Sequence, residues 1–417
     1  MPFGVPGLKK TFGRIFLLLV GCVPVISCGS SSPSTTTGTG PSGLKFRAFV
    51  SNPLSPTIGA AQPVLNIINA STDVESASVV NLSGAVSNAG MMVLSPNRGF
   101  TLVLNPTGTS VAVVNNSAET VNSTVNLPGP TQSMFVWIDN GTGYAAVPTA
   151  PVSAALGSSP GAVVVINLSN SATLATIPVP GVQYVVESHD GSRVLAFGNN
   201  PQAVTMISTS QIGTGTDPRT VLLNTSFDHP VGAVFSSDDT IAYVLNCGPE
   251  CGGSAASVAV LDMTQSPPQI LNTVAVPAAT YGILNGSTLY VAGTSSTGGM
   301  LSLISVASNT VTNANAIAIS DGYHNRMAVA ANGRLYIGAR TCSGGCLSIF
   351  NIATGTVDIP KISGDVTGIQ PITGRNVVYV CQNGGLNIYN TANDLLQTTP
   401  TIDIVGQAMD VELVDSP

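Results

Sequence analysis

The sequence is short of charge and of aromatic side chains: Lys, Arg, Asp and Glu make up 8% of 417 residues, and Phe, Trp and Tyr 5%. No basic cluster and no aromatic stacking motif occurs, and the formal net charge is −7. Such a surface repels phosphate backbones, which excludes nucleic acid as a partner. Named catalytic patterns are missing too. There is no Gly-x-Ser-x-Gly elbow, phosphate-binding Gly loop, His-Glu-x-x-His or calcium loop with acids at alternate positions. Only three histidines, His189, His229 and His324, are present. On these grounds no catalytic residue, metal site or cofactor is assigned.

What is present is Gly and Pro, 72 together, and a repeat. The composition describes many short strands joined by tight turns. A strand closed by a polar residue, clearest as Val258-Ala-Val-Leu-Asp262, recurs at Leu65–Asn69, Val111–Asn115, Val163–Asn167, Val204–Ser208, Leu301–Ser305, Leu347–Asn351 and Leu386–Asn390. The closing residues step by 46, 52, 41, 54, 43, 46 and 39 positions, a spacing that means a solenoid or a propeller. Each repeat reads as four antiparallel strands, A to D. In the fifth repeat these are Val231–Phe235, Ile241–Asn246, the closing-residue strand itself and Ile270–Val276. Turns between A and B carry Asn-Gly or Asp-Gly signals, as at Asp139–Gly141, Ser188–Gly191, Asn285–Gly286 and Asn332–Gly333, which supply the positive φ that tight turns require. Strand B has an aromatic in or beside it: Phe49, Phe100, Tyr144, Phe197, Tyr243, Tyr290, Tyr336 and Tyr379. These are expected to fill space between neighbouring sheets.

The chain ends set the blade count. The first repeat begins at Arg47–Val50 without a strand A, while the last D strand, Thr401–Val405, is followed by an orphan, Met409–Val414. Pairing the orphan with the first repeat closes a ring and leaves no open edge between first and last blades. The expectation is an all-β, eight-bladed propeller over 44–415, with seven blades as the alternative because of irregular stretches around Pro148 and Pro151 and at Pro53–Pro63.

Residues 1–27 combine Lys9, Lys10 and Arg14, no acid, and a twelve-residue apolar run from Ile15 to Ile26, too short to span a bilayer comfortably. This is a signal peptide. Its ending, Val25-Ile-Ser-Cys28, resembles the lipobox of bacterial lipoproteins. The resemblance implies lipidation of Cys28 and a membrane held through acyl chains, with Gly29 after the cysteine pointing to the outer membrane. Residues 28–43, rich in Ser, Thr and Gly, read as a flexible tether. Loss of the leader leaves ten basic residues against twenty acids, a net charge of −10.

Tyr243-Val-Leu-Asn246, the repeated strand C ending in Asn or Asp, and the Ser-Pro-Asp-Gly-like turns resemble the YVTN-type β-propeller repeat of bacterial and archaeal surface proteins, related to the lactonase-like propellers. That resemblance bears on fold, not activity.

Six cysteines remain after the leader. In an exported chain, Cys247 with Cys251 and Cys342 with Cys346 are expected to form two local disulfides. A shared zinc site is disfavoured because the pairs lie in blades five and seven. Cys381 reads as a buried free thiol. For a ligand site, the connections from strand D to the next strand A line one mouth of a propeller channel. Asp228 and His229 in one of them, and Asp321, Tyr323, His324 and Arg326 in another, form the candidate polar pocket. The functional expectation is a lipid-anchored, non-catalytic binding or display scaffold for an envelope protein or glycan. The alternatives are a periplasmic lactonase-like hydrolase with its site at the channel mouth and a structural surface-layer component.

Overall fold

A computed structural model describes residues 40–56, 61–152, 159–313 and 315–416. The leader and Cys28, and most of the tether, lie outside the described residues. Among those described, no helix is long and apolar enough to cross a membrane.

The strands form eight antiparallel sheets. In blades two to eight the order follows the chain, A-B-C-D. Blade five, for example, runs Pro230–Phe235, Ile241–Asn246, Ser257–Asp262 and Gln269–Ala275. Blade one takes its strand A from the other end of the chain. Asp410–Leu413 pairs antiparallel with Arg47–Ser55, matching Ala48 to Leu413 and Ser51 to Asp410. The eight A strands contact one another in an unbroken cycle, blade one meeting blades two and eight. The fold is therefore an eight-bladed β-propeller, and the seven-bladed alternative falls.

Strand D departs from the expectation in two blades. In blade eight it is Leu395–Leu396, with a single further bridge from Ile402 to Leu386, in place of the expected Thr401–Val405. Pro400 has no N–H to give to a ladder. In blade six it is broken into Thr310–Val311 and Ile317–Ile319, both against strand C.

The core is divided into eight apolar clusters, each shared by two consecutive blades. The alternation of each strand points one set of side chains at the blade before and the other at the blade after. Seven of the eight strand-B aromatics are buried there, and Phe100 is half-buried. The A–B turns have the expected backbone: Arg98, Asn140, Gly191, Asp239, Gly286, Asn332 and Gly374 all have positive φ. Where the turn opens with serine, its hydroxyl accepts the N–H five residues on, at Ser95, Ser188 and Ser236.

Arginines bolt blade to blade. A basic side chain at or just before the start of strand B reaches the C–D turn of the next blade: Arg47 to Glu119 (2.7 Å), Arg193 to the Met263 carbonyl, Arg334 to Asp394 (2.7 Å) and Arg375 to Asp73 (Nη2–Oδ2, 2.8 Å). Arg47 is fully buried and also fastens the closing strand. Its Nε and Nη2 donate to Asp415 at 2.8 and 2.9 Å, and its Nη1 to the Asn116 carbonyl at 2.7 Å. Arg98 donates to the Leu413 carbonyl at 2.5 Å. The ends of the chain are thus held by paired backbone and by buried, charge-assisted hydrogen bonds.

Candidate functional site

Both expected disulfides are present, Cys247–Cys251 and Cys342–Cys346, and Cys381 is a buried free thiol. Each bridge ties the loop between strands B and C, and that loop explains two of the candidate residues. Asp228 accepts hydrogen bonds from Ser254 N and Oγ (both 2.7 Å) and Ala255 N (2.8 Å) and meets His229 Nδ1 at 2.9 Å. Burial pushes its carboxyl up, but His229 and these donors outweigh that and hold it well below the usual carboxylate range. Asp321 does the same for blade seven, accepting from Ser343 N (3.0 Å) and Oγ (2.7 Å). Asp228 and His229 are loop clamps of blade five, and Asp321 is its counterpart in blade seven.

His324 packs into the blade, 1% exposed, with Nε2 on the Ser320 carbonyl at 3.0 Å. Burial lowers its pKa to about 4, so the ring is neutral at pH 7. Tyr323 and Arg326 go the other way. A β-bulge between His324 and Arg326 leaves Asn325 without a cross-strand partner and sets Tyr323 opposite Arg340 and Arg326 opposite Gly338. Arg340 and Gly338 are two apart on strand B, so Tyr323, Arg326 and Arg340 share one face of blade seven.

Arg326 reaches inward. Its Nε donates to the carbonyl of Thr367 (3.0 Å), the unpaired bulge residue of strand A in blade eight, and its Nη1 to the Asn325 carbonyl (2.8 Å). Its Nη2 is left 4.0 Å from Asp410 Oδ2 on the closing strand. Gly368 permits that approach, because a Cβ there would lie 2.7 Å from Asp410 Oδ1. Asp410 also accepts Met92 N at 2.8 Å.

Around this pair the ring brings groups from five blades into electrostatic range. Tyr184 of blade four feels Tyr281 of blade six and Arg326 of blade seven, and Tyr281 feels Asp410 and Glu412 of blade one. Burial raises both tyrosines. It also raises Glu412 to about 8, with the Asp410 charge adding to the effect, and raises Asp410, which Arg326 and its backbone donors counter. Glu412 therefore holds a proton at neutral pH, and Arg326 is the neighbour that most favours the charged form of Asp410. Cys381 lies within range of Asp410 and Arg326, and burial keeps it a thiol.

Of the six candidate residues, then, the inner strands gather Tyr323 and Arg326, and the other four lie in loop clamps or the blade interior. Tyr184, Tyr281, Arg340, Asp410 and Glu412 were missed. A signal was there: Tyr184, Tyr281 and Tyr323 each open strand A of their blade, and Asp410 opens the closing strand. A groove of about 450 Å³ between the outer strands of blades four and five is lined by Thr220–Asn224, Phe227, Leu261 and Pro267–Ile270 and contains no ionisable side chain. It offers shape without chemistry.

The ring is similar to that of dihydro-heme d1 dehydrogenase NirN, with a TM-score of 0.66 at 11% identity over 89% of this chain and 75% of that one. The likeness is one of fold. Pseudomonas aeruginosa periplasmic gluconolactonase PpgL gives a TM-score of 0.54 at 14% identity over 89% of this chain and 99% of that one. Kuenenia stuttgartiensis hydrazine synthase gives 0.54 at 13% over 76% and 96%. No family model matches the chain, and no curated protein matches it in sequence.

Proposed function

We propose that this is a cell-envelope propeller, anchored at the outer membrane through acyl chains on Cys28, that binds the end of a hydroxyl-rich glycan at its central channel without catalysis. The carrying observation is the 4.0 Å separation of Arg326 Nη2 and Asp410 Oδ2. Nη2 is buried without a hydrogen-bond partner, and a sugar hydroxyl that displaces the packing over it would bridge the two, accepting from the guanidinium and donating to the carboxylate. Tyr184, Tyr281 and Tyr323, opening three of the inner strands, supply apolar ring faces with a polar tip. The anchor rests on Val25–Cys28 and the tether behind it. The test is calorimetry of the full chain against a panel of neutral and acidic mono- and disaccharides. Binding that disappears in the Tyr184→Ala and Tyr281→Ala variants supports the reading, and a panel with no binder overturns it.

A second reading, a periplasmic lactonase-like hydrolase, is favoured by one observation: a proton-holding Glu412 stands two residues from Asp410, which faces Arg326 at 4.0 Å, and two carboxyls in unlike surroundings are what divides acid from base. One similar fold is a periplasmic gluconolactonase, so acid release from glucono-1,5-lactone is the assay to run first. Turnover lost in Glu412→Gln would replace the binding reading.

A further inference from the structure

We infer that the channel ligand is acidic, a sugar whose carboxylate is held between Arg326 and Arg340. This rests on the reading that a glycan end occupies the channel and names its class. Of the eight arginines beyond residue 40, five bolt blades or the closing strand, and Arg219 pairs with Asp217 (Nη2–Oδ2, 2.7 Å). Arg326, with Asp410 4.0 Å from its Nη2, and Arg340 remain, on one face of blade seven, with Gly338 opposite Arg326. The plane of Arg326 is fixed by the two bulge carbonyls, and Nη2 is buried without a hydrogen-bond partner; Arg340 Nε is buried and unpartnered as well.

Two guanidiniums with idle, buried N–H groups on a shared face are a site for a planar anion that displaces the packing over them. Neither nearby carboxyl accepts a hydrogen bond from these idle N–H groups: Asp365 accepts Thr341 N at 2.7 Å, and Asp410, 4.0 Å from Arg326 Nη2, accepts Met92 N and Val411 N. Burial lowers the pKa of Arg340, with Arg326 the next cause, so the two cations feel each other. A carboxylate relieves that repulsion and completes both donor sets. A ring hydroxyl on the same molecule then reaches Asp410. A carboxylate suits the flanking Asp410 better than a dianionic phosphate does, because it brings half the charge.

The experiment is calorimetry of the full chain at pH 7 with D-glucuronate, D-glucose and inorganic phosphate. Glucuronate is expected to bind at least about tenfold tighter than glucose, to weaken as salt rises, and to lose that advantage in Arg340→Gln. Arg326→Gln also frees the Thr367 and Asn325 carbonyls, so Arg340→Gln and the salt dependence of the native chain carry the test. Equal affinity for glucose and glucuronate overturns the anion clamp and leaves the glycan reading standing. Phosphate binding as tightly as glucuronate overturns the sugar-acid class. Binding of neither sugar overturns the glycan reading itself.

Discussion

At pH 7 the imidazole of His324 is neutral, buried beside the Ser320 carbonyl, and its pKa of about 4 lies below the 6.5 of a free histidine. Unfolding exposes it to water and restores the ordinary value, so between about 6.5 and 4 the unfolded chain binds more protons than the folded one. The stability tied to this group is complete above about pH 6.5 and is lost as the pH falls toward 4, on the order of 3 kcal/mol in all. Chemical denaturation of the native chain and of His324→Gln across pH 4 to 7 checks this: the difference between the two should slope in that window and flatten above it. A flat difference throughout would mean that the ring is hydrated. The contrast with Arg326, two residues on, shows how finely a bulge sorts side chains. One extra residue in the strand turns a histidine into packing and an arginine toward the channel.

Within a blade, the elements follow from alternation and turn chemistry, which is why the eight sheets and the closing strand were legible in the sequence. The A–B turns announced themselves through Asn-Gly and Ser-x-Asp signals, and positive φ stands where those residues were placed. The bulges were not legible, because Tyr323–Ala330 reads as an ordinary alternating strand and only the cross-strand register shows the extra residue. Nor were the inter-blade bolts: Arg47 and Glu119 are 72 positions apart, and nothing local marks either as the other's partner. Four of the six candidate residues stand apart from the inner-strand group for the same reason: Asp228 and Asp321, for example, sit in the connections expected but spend their oxygens on the loops of their own blades. The bolts yield a prediction at this scale. Arg47→Met leaves Asp415 and Glu119 buried beside an apolar side chain and should cost about 3–5 kcal/mol, read as a lower denaturation midpoint. An exposed ion pair makes the comparison, and Asp217→Asn, opposite Arg219, should cost under about 1 kcal/mol. Gly368→Ala should cost about 1–3 kcal/mol, because its Cβ meets Asp410 Oδ1 at 2.7 Å and Val411 N at 2.9 Å. It should also weaken saccharide binding, by moving Asp410 from Arg326.

At the scale of the whole molecule, ring closure and site assembly are carried by one strand. Asp410–Leu413 comes to blade one from the C-terminal end of the chain, and it brings both channel carboxyls with it. A chain ending at Ala408 should lose its single cooperative unfolding transition, since Arg47 loses Asp415 and blades one and eight lose the sheet between them. A synthetic peptide of residues 409–416 added in trans should restore the transition, by supplying the same backbone pairs to Ala48–Ser51. The same peptide carrying Glu412→Gln separates the two roles. Glu412 is pushed up to about 8 by burial and the neighbouring Asp410; a buried acid with a raised pKa makes the fold lose stability as the pH rises through its titration. The native peptide should therefore bind more weakly as the pH rises from about 5 to 8, while the substituted peptide closes the ring equally well and keeps only the smaller pH dependence that the raised Asp410 carboxyl brings. Identical pH profiles for the two peptides would show that Glu412 stays ionised in the channel, and the acid–base division of that carboxyl pair would fall with it.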